Sequence, residues 1–262
     1  MKIAFFDSGI SGLTVLKEAL RQFPNEEYIY FADSDHAPYG SRPPSEVEAL
    51  IADAADFLAR KNIDALVLAC HTASRLMRKK LQAKYNFPVI GMATGLDEFH
   101  YQNTVKKVLV TGTDLSIKAW VQYFQKRGIK ADYLSLQKLI VFAENREFHS
   151  SRVFDFLYQK LATIDCNSYQ AILLGCTHFP FFTTQIQTLL PSPIKVLDGS
   201  YATVQKLSKH ILISNQSSFA NIDYFVSRKP MPVRNIFEYI DIKPIFSDGM
   251  IELMSLKIPV YS

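Results

Sequence analysis

Short runs of consecutive apolar residues recur along this chain, and between them apolar residues return at every third or fourth position. Continuous apolar runs are typical of strands buried on both faces, and the longer spacing is typical of amphipathic helices. Because the two patterns alternate, they predict an α/β fold in which mostly parallel sheets are flanked by helices. The predicted strands are residues 3–6, 28–33, 65–70, 88–92, 107–112, 171–176 and 194–199.

The same spacing predicts where the first helices lie. After the first strand, Leu13, Leu16 and Leu20 recur at helical intervals. A longer helix is predicted to begin at Ser45, where Glu48 stands three residues further on in the pattern of a capping box.

Two predicted strands end in similar segments, which indicates a weak internal repeat. The segments are ALVLACHT (65–72) and AILLGCTH (171–178), and each delivers a cysteine at the end of an apolar run. We interpret the repeat as two lobes, with residues 1–95 and 210–262 in the first and residues 96–209 in the second. Ligands of open α/β sheets bind beyond the carboxyl ends of the strands, so a cleft between the lobes is the expected site.

Composition and charge narrow the classes of protein to which the chain can belong. Its 262 residues are 48% hydrophobic and 21% charged, as in ordinary globular proteins. The net charge of +4 comes from scattered Lys and Arg residues, so no nucleic-acid partner is expected. No apolar stretch is long enough to cross a bilayer and the N-terminus lacks a signal-peptide pattern, so we expect a cytoplasmic protein without a membrane partner.

Cys70 and Cys176 stand where a predicted strand meets a predicted helix. A helix N-terminus stabilises a thiolate there, so each cysteine is a candidate base or nucleophile. Two such thiols on opposite walls of a cleft can remove a proton from one face of a carbon and deliver one to the other face. His178 and Asp7 are the candidates to orient the sulfurs or to balance their charge.

Two other interpretations of these cysteines stay open. Free cysteine is among the most buried residue types, so either one can be a packing residue. Cys70, His71, Cys176 and His178 also match the ligand types of a zinc site, although structural zinc normally uses more widely spaced pairs. Cys166 is interpreted as structural, and three cysteines in all predict no disulfide framework.

Three loops supply further candidate ligand-binding residues, because their hydroxyl, carboxylate and backbone groups follow predicted strands. The candidates are Asp7, Ser8, Pro38, Tyr39, Gly40, Thr113 and Ser116. The glycines of the segment DSGISG (7–12) permit a tight turn with exposed N–H groups, but it is not the dinucleotide fingerprint. The alternative is that these residues cap helices or form connecting turns. The remaining histidines, interpreted as surface residues or as residues with partly satisfied hydrogen bonds, are His36, His100, His149 and His210.

Together these motifs resemble the glutamate racemases of the aspartate/glutamate racemase superfamily. FDSGISGLTVL, YFADSDHAPYG, LVLACHTAS, PVIGM and LLGCTHFP occur in the order in which that family carries them. The resemblance runs over the whole chain and implies two pseudosymmetric α/β lobes with the active site in the cleft between them. It further implies that L- and D-glutamate are interconverted without a cofactor, that D-glutamate is supplied for peptidoglycan, and that the protein forms a homodimer.

The resemblance also implies roles for individual residues. Cys70 and Cys176 would be the acid/base thiols, assisted by Asp7 and His178, and no metal ligand is implied. The residues implied to bind the substrate are Asp7, Ser8, Pro38, Tyr39, Gly40, His71, Thr72, Thr113, Ser116, Thr177 and His178. Glu144 matches an acidic residue near the family's site.

The chain departs from the family pattern at several positions. His71 stands where the family usually has Asn, Ser116 stands where Thr is common, and the second lobe lacks the usual Cys-Pro segment. A bulkier, titratable ring at position 71 can narrow the pocket, so an aspartate racemase or another isomerase or decarboxylase of the superfamily stays open. A binding protein that closes on an anionic metabolite without turnover is the alternative from a different class.

Overall fold

The computed structural model describes residues 1–96, 99, 106–190, 194–211 and 221–227. His100 and most of residues 210–262, which were predicted to complete the first lobe, lie outside these ranges, as does the side chain of Cys166. The described residues form two compact units, one of Met1–Met92 with the described part of Ser200–Ser262, and one of Ala93–Gly199.

The bounds of the regular elements are as follows. The strands are β1 (Lys2–Asp7), β2 (Glu27–Ala32), β3 (Ala65–Leu68), β4 (Val89–Gly91), β5 (Lys107–Gly112), β6 (Ala131–Ser135), β7 (Tyr169–Leu174), β8 (Lys195–Leu197) and β9 (Asn221–Val226). The helices are α1 (Leu13–Gln22), α2 (Pro44–Ala59), α3 (His71–Lys84), α4 (Asp114–Gln125), α5 (Lys138–Glu144), α6 (Ser151–Leu161), α7 (Thr183–Leu189) and α8 (Ser200–Ser208). Short 3₁₀ turns lie at Ser34–His36, Tyr39–Ser41, Cys166–Ser168 and Phe179–Phe182.

Each unit contains one sheet in which neighbouring strands are parallel. The strand order is β4-β3-β1-β2-β9 in the first unit and β6-β5-β7-β8 in the second. The predicted fold class is therefore confirmed, because both units are parallel sheets flanked by helices. The second lobe was predicted to end at residue 209, whereas the second unit ends at Gly199. The main difference is α8, which belongs to the first unit and packs against α1 there.

Two strands were missed by the sequence pattern. β6 lies at the edge of its sheet and its residues are only partly buried, so its sequence ADYLS shows no continuous apolar run. β9 lies beside β2, with Tyr224 paired to Tyr30, and brings the chain back to the first sheet after a polar stretch. The edge position of β6 requires less burial than a central one, and its apolar pattern weakens accordingly.

Helix α2 covers one face of the first sheet. Its apolar residues, among them Val47, Ile51 and Leu58, lie in one hydrophobic cluster with Phe6 and Leu68 of the strands. The predicted capping box at Ser45 is wrong, because the helix begins at Pro44 and the side chain of Glu48 contacts Lys80 at 2.6 Å. Proline at the first helical position needs no hydrogen-bonded N–H, so the start does not depend on a side-chain cap.

In the second unit, α4 supplies the aromatic part of the core. Trp120 and Phe124 pack with Val108, Val110 and Leu173 of the two central strands. Within each sheet the carboxyl ends of parallel strands meet at one edge, so the residues that follow those ends are brought close together.

Candidate functional site

Asp7, the last residue of β1, organises the loop that precedes α1. Its Oδ2 accepts hydrogen bonds from the backbone N–H groups of Gly9 (3.1 Å) and Gly12 (3.0 Å) and from the hydroxyl of Ser11 (2.7 Å). Asp7 is fully buried, so these donors replace the water that an ionised carboxylate requires. The helix begins after Gly12 without a side-chain cap, so the alternative that Asp7 or Ser8 is its N-cap is wrong.

Gly12 allows this loop to pack against the end of β3. A Cβ at Gly12 would lie 2.8 Å from Cβ of Ala69 and 2.9 Å from the hydroxyl of Tyr30. The Tyr30 hydroxyl also donates to the carbonyl of Gly9 at 2.9 Å. The loop is therefore held next to the residue that precedes Cys70.

Cys70 lies at the N-cap position of α3. Its Sγ is 3.8 Å from the hydroxyl of Ser8, and its residue is only 6% exposed. Ser8 is itself buried. The ends of β1 and β3 thus bring Ser8 into contact with the first thiol, and Asp7 holds the loop that carries Ser8.

His71 and Thr72, which follow Cys70, are the first residues of α3 and are partly buried. Loss of hydration lowers the pKa of His71 to about 4. The ring is therefore neutral at neutral pH.

Lowering the pH from 6.5 to 4 is expected to destabilise the fold through His71. Its pKa falls from 6.5 to about 4 on folding, so in this window the unfolded chain binds more protons than the folded one. Stability therefore rises with pH through the window, by roughly 3 kcal/mol for a shift of this size. Urea unfolding at pH 4.5 and 7 should show a smaller difference for His71→Asn than for the wild type. If the exposed control His210→Asn reduces the difference equally, the assignment to His71 is wrong.

Tyr39 and Asp33 form a buried pair beyond the end of β2. The Tyr39 hydroxyl donates to Oδ2 of Asp33 at 2.5 Å, and Oδ1 of the same carboxylate lies 2.7 Å from Nδ1 of His36. Burial, followed by the charge of Asp33, raises the pKa of Tyr39 well above its usual value, so the phenol keeps its proton. Pro38 is exposed and Gly40 is partly buried on either side of Tyr39. Asp33 could not be singled out from the sequence pattern, because its role comes from a contact made across the loop.

In the second unit, His178 links Cys176 to Glu144. Nδ1 of His178 lies 3.6 Å from Sγ of Cys176, and Nε2 lies 2.6 Å from Oε1 of Glu144 at the end of α5. Burial by itself would lower the pKa of His178, but the bonds to Cys176 and Glu144 outweigh it and raise the pKa to about 10. His178 is buried, whereas Cys176 is partly exposed.

The backbone after Cys176 differs from the prediction. No α-helix starts directly after this cysteine, because the 3₁₀ turn Phe179–Phe182 follows first and α7 begins only at Thr183. A four-residue turn has little dipole, so the positive charge beside this sulfur comes from His178 instead. The two cysteine segments are alike in sequence and different in their electrostatics.

Gly175 fits between β5 and the indole of Trp120. The Trp120 Nε1–H donates to the carbonyl of Gly175 at 3.1 Å, and the Gly175 N–H donates to the carbonyl of Thr111 at 2.9 Å. Sequence reasoning missed Trp120, although it holds the residue directly before Cys176.

Thr113 and Ser116 form a reciprocal capping box at the start of α4. Oγ1 of Thr113 accepts from the N–H of Ser116 at 3.0 Å, and Oγ of Ser116 accepts from the N–H of Thr113 at 2.8 Å. Both hydroxyls are partly buried. The capping alternative is therefore confirmed for these two residues, and their binding of a carboxylate stays a prediction. Thr177, next to Cys176, is buried.

The predicted residues thus fall into two groups, one in each unit. Asp7, Ser8, Tyr39 and Cys70 lie at or beyond the ends of β1, β2 and β3, and Cys176 and His178 lie beyond the end of β7. In the described part of the chain, no group of three or more His, Cys, Asp or Glu residues is arranged to hold a metal ion. Across the same residues, no helix is long and apolar enough to span a membrane.

Comparisons with known proteins agree in pointing to one family. The sequence profile of the Asp/Glu/hydantoin racemases matches residues 7–207. The chain is 38% identical to glutamate racemase 2 of Bacillus subtilis over 222 residues, 82% of this chain and 84% of the relative. It is 35% identical to the glutamate racemase of Halothermothrix orenii over 249 residues, 92% of this chain and 98% of the relative.

A solved structure shows the same fold. The crystal structure of glutamate racemase from Campylobacter jejuni superposes with a TM-score of 0.81 at 26% identity, over 92% of this chain and 98% of that one.

Proposed function

Because this chain belongs to the Asp/Glu/hydantoin racemase family, we propose that it is a glutamate racemase that interconverts L- and D-glutamate by a two-cysteine acid/base mechanism without a cofactor. The observation that carries the proposal is the placement of one cysteine at the carboxyl edge of each sheet. Cys70 contacts the hydroxyl of Ser8, and Cys176 contacts the imidazole of His178. Each sulfur therefore has a polar partner able to assist proton transfer, which a packing cysteine does not need.

In the proposed reaction the two sulfurs face opposite sides of the substrate α-carbon. One cysteine, as the thiolate, takes the Cα proton and becomes a thiol, and the electron pair stays on the carbon. The other cysteine, as the thiol, then gives its proton to the opposite face and becomes a thiolate. The configuration at Cα is inverted, and no atom other than hydrogen is exchanged.

The Cα proton of an amino acid is very weakly acidic, so the developing negative charge must be stabilised by fixed donors. We propose that the backbone and hydroxyl groups near the two thiols hold the substrate's ammonium and carboxylate groups. The residues proposed to bind it are Asp7, Ser8, Pro38, Tyr39, Gly40, His71, Thr72, Thr113, Ser116, Thr177 and His178. The Tyr39 hydroxyl donates its hydrogen bond to Asp33, so its oxygen is proposed to accept from the substrate ammonium, and Thr113 and Ser116 are held at a helix start, where a carboxylate is favoured.

The choice of glutamate rests on the curated relatives, and it is tested by measuring the reaction. We expect the purified protein to convert both L- and D-glutamate to the racemate and, in D₂O, to introduce deuterium at Cα of either enantiomer. Circular dichroism follows the racemisation and ¹H NMR follows the exchange. L- and D-aspartate are the matched controls, since they differ from glutamate by one methylene group.

Three results would change the proposal in different ways. Turnover of aspartate in preference to glutamate would show that the substrate differs from that of the glutamate racemase relatives, as the presence of His71 in place of the usual Asn allows. Tight binding of glutamate without exchange at Cα would favour a binding protein. Racemisation that requires an added metal or organic cofactor would contradict the thiol mechanism.

We further propose that the D-glutamate formed is used in peptidoglycan synthesis in the cytoplasm and that the enzyme is a homodimer. These proposals follow from the family resemblance, and the last is tested by the molar mass measured in solution by light scattering.

A further inference from the structure

Two tyrosines of β2 reach opposite ends of the same helix. Tyr28 and Tyr30 are two residues apart, so their side chains lie on the same face of the sheet, and both are buried. The hydroxyl of Tyr28 donates to the carbonyl of Phe23, directly after α1, at 2.6 Å. The hydroxyl of Tyr30 donates to the carbonyl of Gly9, ahead of α1, at 2.9 Å. One tyrosine therefore holds the end of the helix, and the other holds the loop that leads into it.

We propose that Tyr30 is a positioning residue for the racemisation. Its hydroxyl fixes the loop formed by residues 7–12, and through that loop it sets where Ser8 meets the sulfur of Cys70. Tyr30 thus acts on the reaction through the backbone of the loop. The catalytic meaning of this proposal rests on the proposed function.

The loop closes tightly around the Tyr30 hydroxyl. Besides the bond to Gly9, a Cβ at Gly12 would lie only 2.9 Å from the hydroxyl oxygen, so the glycine allows a close approach that a larger residue would prevent. Gly9 is buried, and a buried carbonyl that loses its donor is costly, so removal of the hydroxyl favours a shift of the loop. Asp7 still binds the N–H groups of both glycines, so we expect the loop to shift without unfolding.

The ring of Tyr30 is itself held in place by β9. Tyr30 is paired with Tyr224 in the parallel register of β2 and β9, and the two rings stack with their centroids 5.1 Å apart and their planes 17° from parallel. Stacked aromatic rings prefer a defined geometry, which restricts where the phenol points. The return of the chain to the first sheet therefore gives the hydroxyl a fixed origin from which it holds the loop.

The loop links the position of Tyr30 to the first thiol. Ser8 directly precedes Gly9, and the Oγ of Ser8 lies 3.8 Å from Sγ of Cys70. Every residue of the loop is buried, and Cys70 is only 6% exposed. A shift of the loop at Gly9 therefore changes the contact at the sulfur and makes the sulfur more accessible.

The test compares Tyr30→Phe with Tyr28→Phe, which is the matched control. Each variant loses one buried hydroxyl from the same strand and the same face, and each removes a donor from a backbone carbonyl. Both should therefore lose similar stability in urea unfolding. We expect kcat for glutamate racemisation to fall by about tenfold or more in Tyr30→Phe, since displacing a reacting group by about 1 Å costs on the order of 10²-fold. In Tyr28→Phe kcat should stay close to the wild-type value, because the end of α1 carries no residue of the proposed site.

A second measurement separates movement of the loop from loss of stability. Brief alkylation by iodoacetamide at one pH, quantified for each cysteine peptide by mass spectrometry, compares the accessibility of the two sulfurs. In Tyr30→Phe the labelling of Cys70 should rise severalfold relative to that of Cys176, which lies in the other unit. In Tyr28→Phe, which weakens the same unit without touching the loop, the ratio should equal that of the wild type.

Tyr224→Leu gives an independent route to the same loop. It removes the stacked ring and keeps the Tyr30 hydroxyl, so the labelling ratio should rise in the same direction as in Tyr30→Phe. This variant keeps the proposal testable if Tyr30→Phe fails to fold.

Two results would overturn the proposal. A labelling ratio in Tyr30→Phe equal to that in Tyr28→Phe would show that the hydroxyl does not hold the loop. A raised ratio with undiminished racemisation would show that the position of the loop does not matter for the reaction. Labelling requires no turnover, so a wild-type protein that does not racemise glutamate would refute the proposed function, and the ratio would still report whether Tyr30 holds the loop.

Discussion

Serine in place of Cys70 or Cys176 will lower the rate of glutamate racemisation by about 10³-fold or more. General acid–base catalysis by one positioned group contributes about 10²–10⁴-fold. A serine hydroxyl neither ionises in the neutral range nor gives up its proton as a thiol does, so each variant loses one half of the proposed transfer. Circular dichroism of L- and D-glutamate solutions measures the loss in both directions.

The controls separate chemistry from stability. Serine is close to cysteine in size, so urea unfolding should show a much smaller effect than the activity does, even at Cys70, which is 6% exposed. Cys166→Ser, which removes a thiol that was interpreted as structural, should keep racemisation near the wild-type rate. Full activity in either Cys70→Ser or Cys176→Ser would refute the two-thiol mechanism.

Alanine in place of Gly175 will destabilise the second unit and reduce activity together. The added Cβ would lie 2.4 Å from the carbonyl oxygen of Thr111 and 2.5 Å from Nε1 of Trp120, so backbone or indole must move. Overpacking of this kind costs about 1–3 kcal/mol and occasionally more, and the strained atoms here include backbone. Cys176 is the next residue, and misplacing a reacting group by about 1 Å costs on the order of 10²-fold in rate.

Gly128→Ala is the matched control for this prediction. Gly128 lies in the same unit and has a φ of +64°, but its Cβ would meet nothing within 4 Å. Its replacement should cost only the strain of a left-handed residue, about 1–2 kcal/mol, without loss of intrinsic activity. Urea unfolding and the racemisation rate are measured on both variants. If Gly175→Ala is no less stable than Gly128→Ala, the prediction that a Cβ at position 175 is excluded by Thr111 and Trp120 is wrong.

Much of the fold was readable from the sequence because central parallel strands are buried on both faces. Such strands show as continuous apolar runs, and the run at 107–112 coincides with β5. β6 was missed because its residues at the sheet edge are only partly buried, so mixed polar and apolar residues are tolerated there, and β9 was missed because its short apolar run follows a polar stretch of sequence. The predicted capping box at Ser45 was wrong for a local reason, since Pro44 begins the helix and Glu48 has a partner on α3.

The candidate site was predictable in its chemistry and less so in its electrostatics. Cys70 and Cys176 were identified because each ends an apolar run, a local property of the sequence. Asp33 and Trp120 were not identified, because their importance comes from contacts with Tyr39 and Gly175 that the folded chain creates. A contact between residues distant in sequence leaves no mark on the pattern of either segment.

The sequence by itself therefore determined the alternation of strands and helices, the parallel α/β class and the two cysteine-bearing strand ends, since these follow from residue spacing and polarity. Tertiary structure alone decided which charges stand beside each sulfur. His178 meets Glu144 from a different helix, and Cys70 meets Ser8 from a different strand end. Electrostatic interactions depend on distance and burial, and both are set only when separate segments pack together.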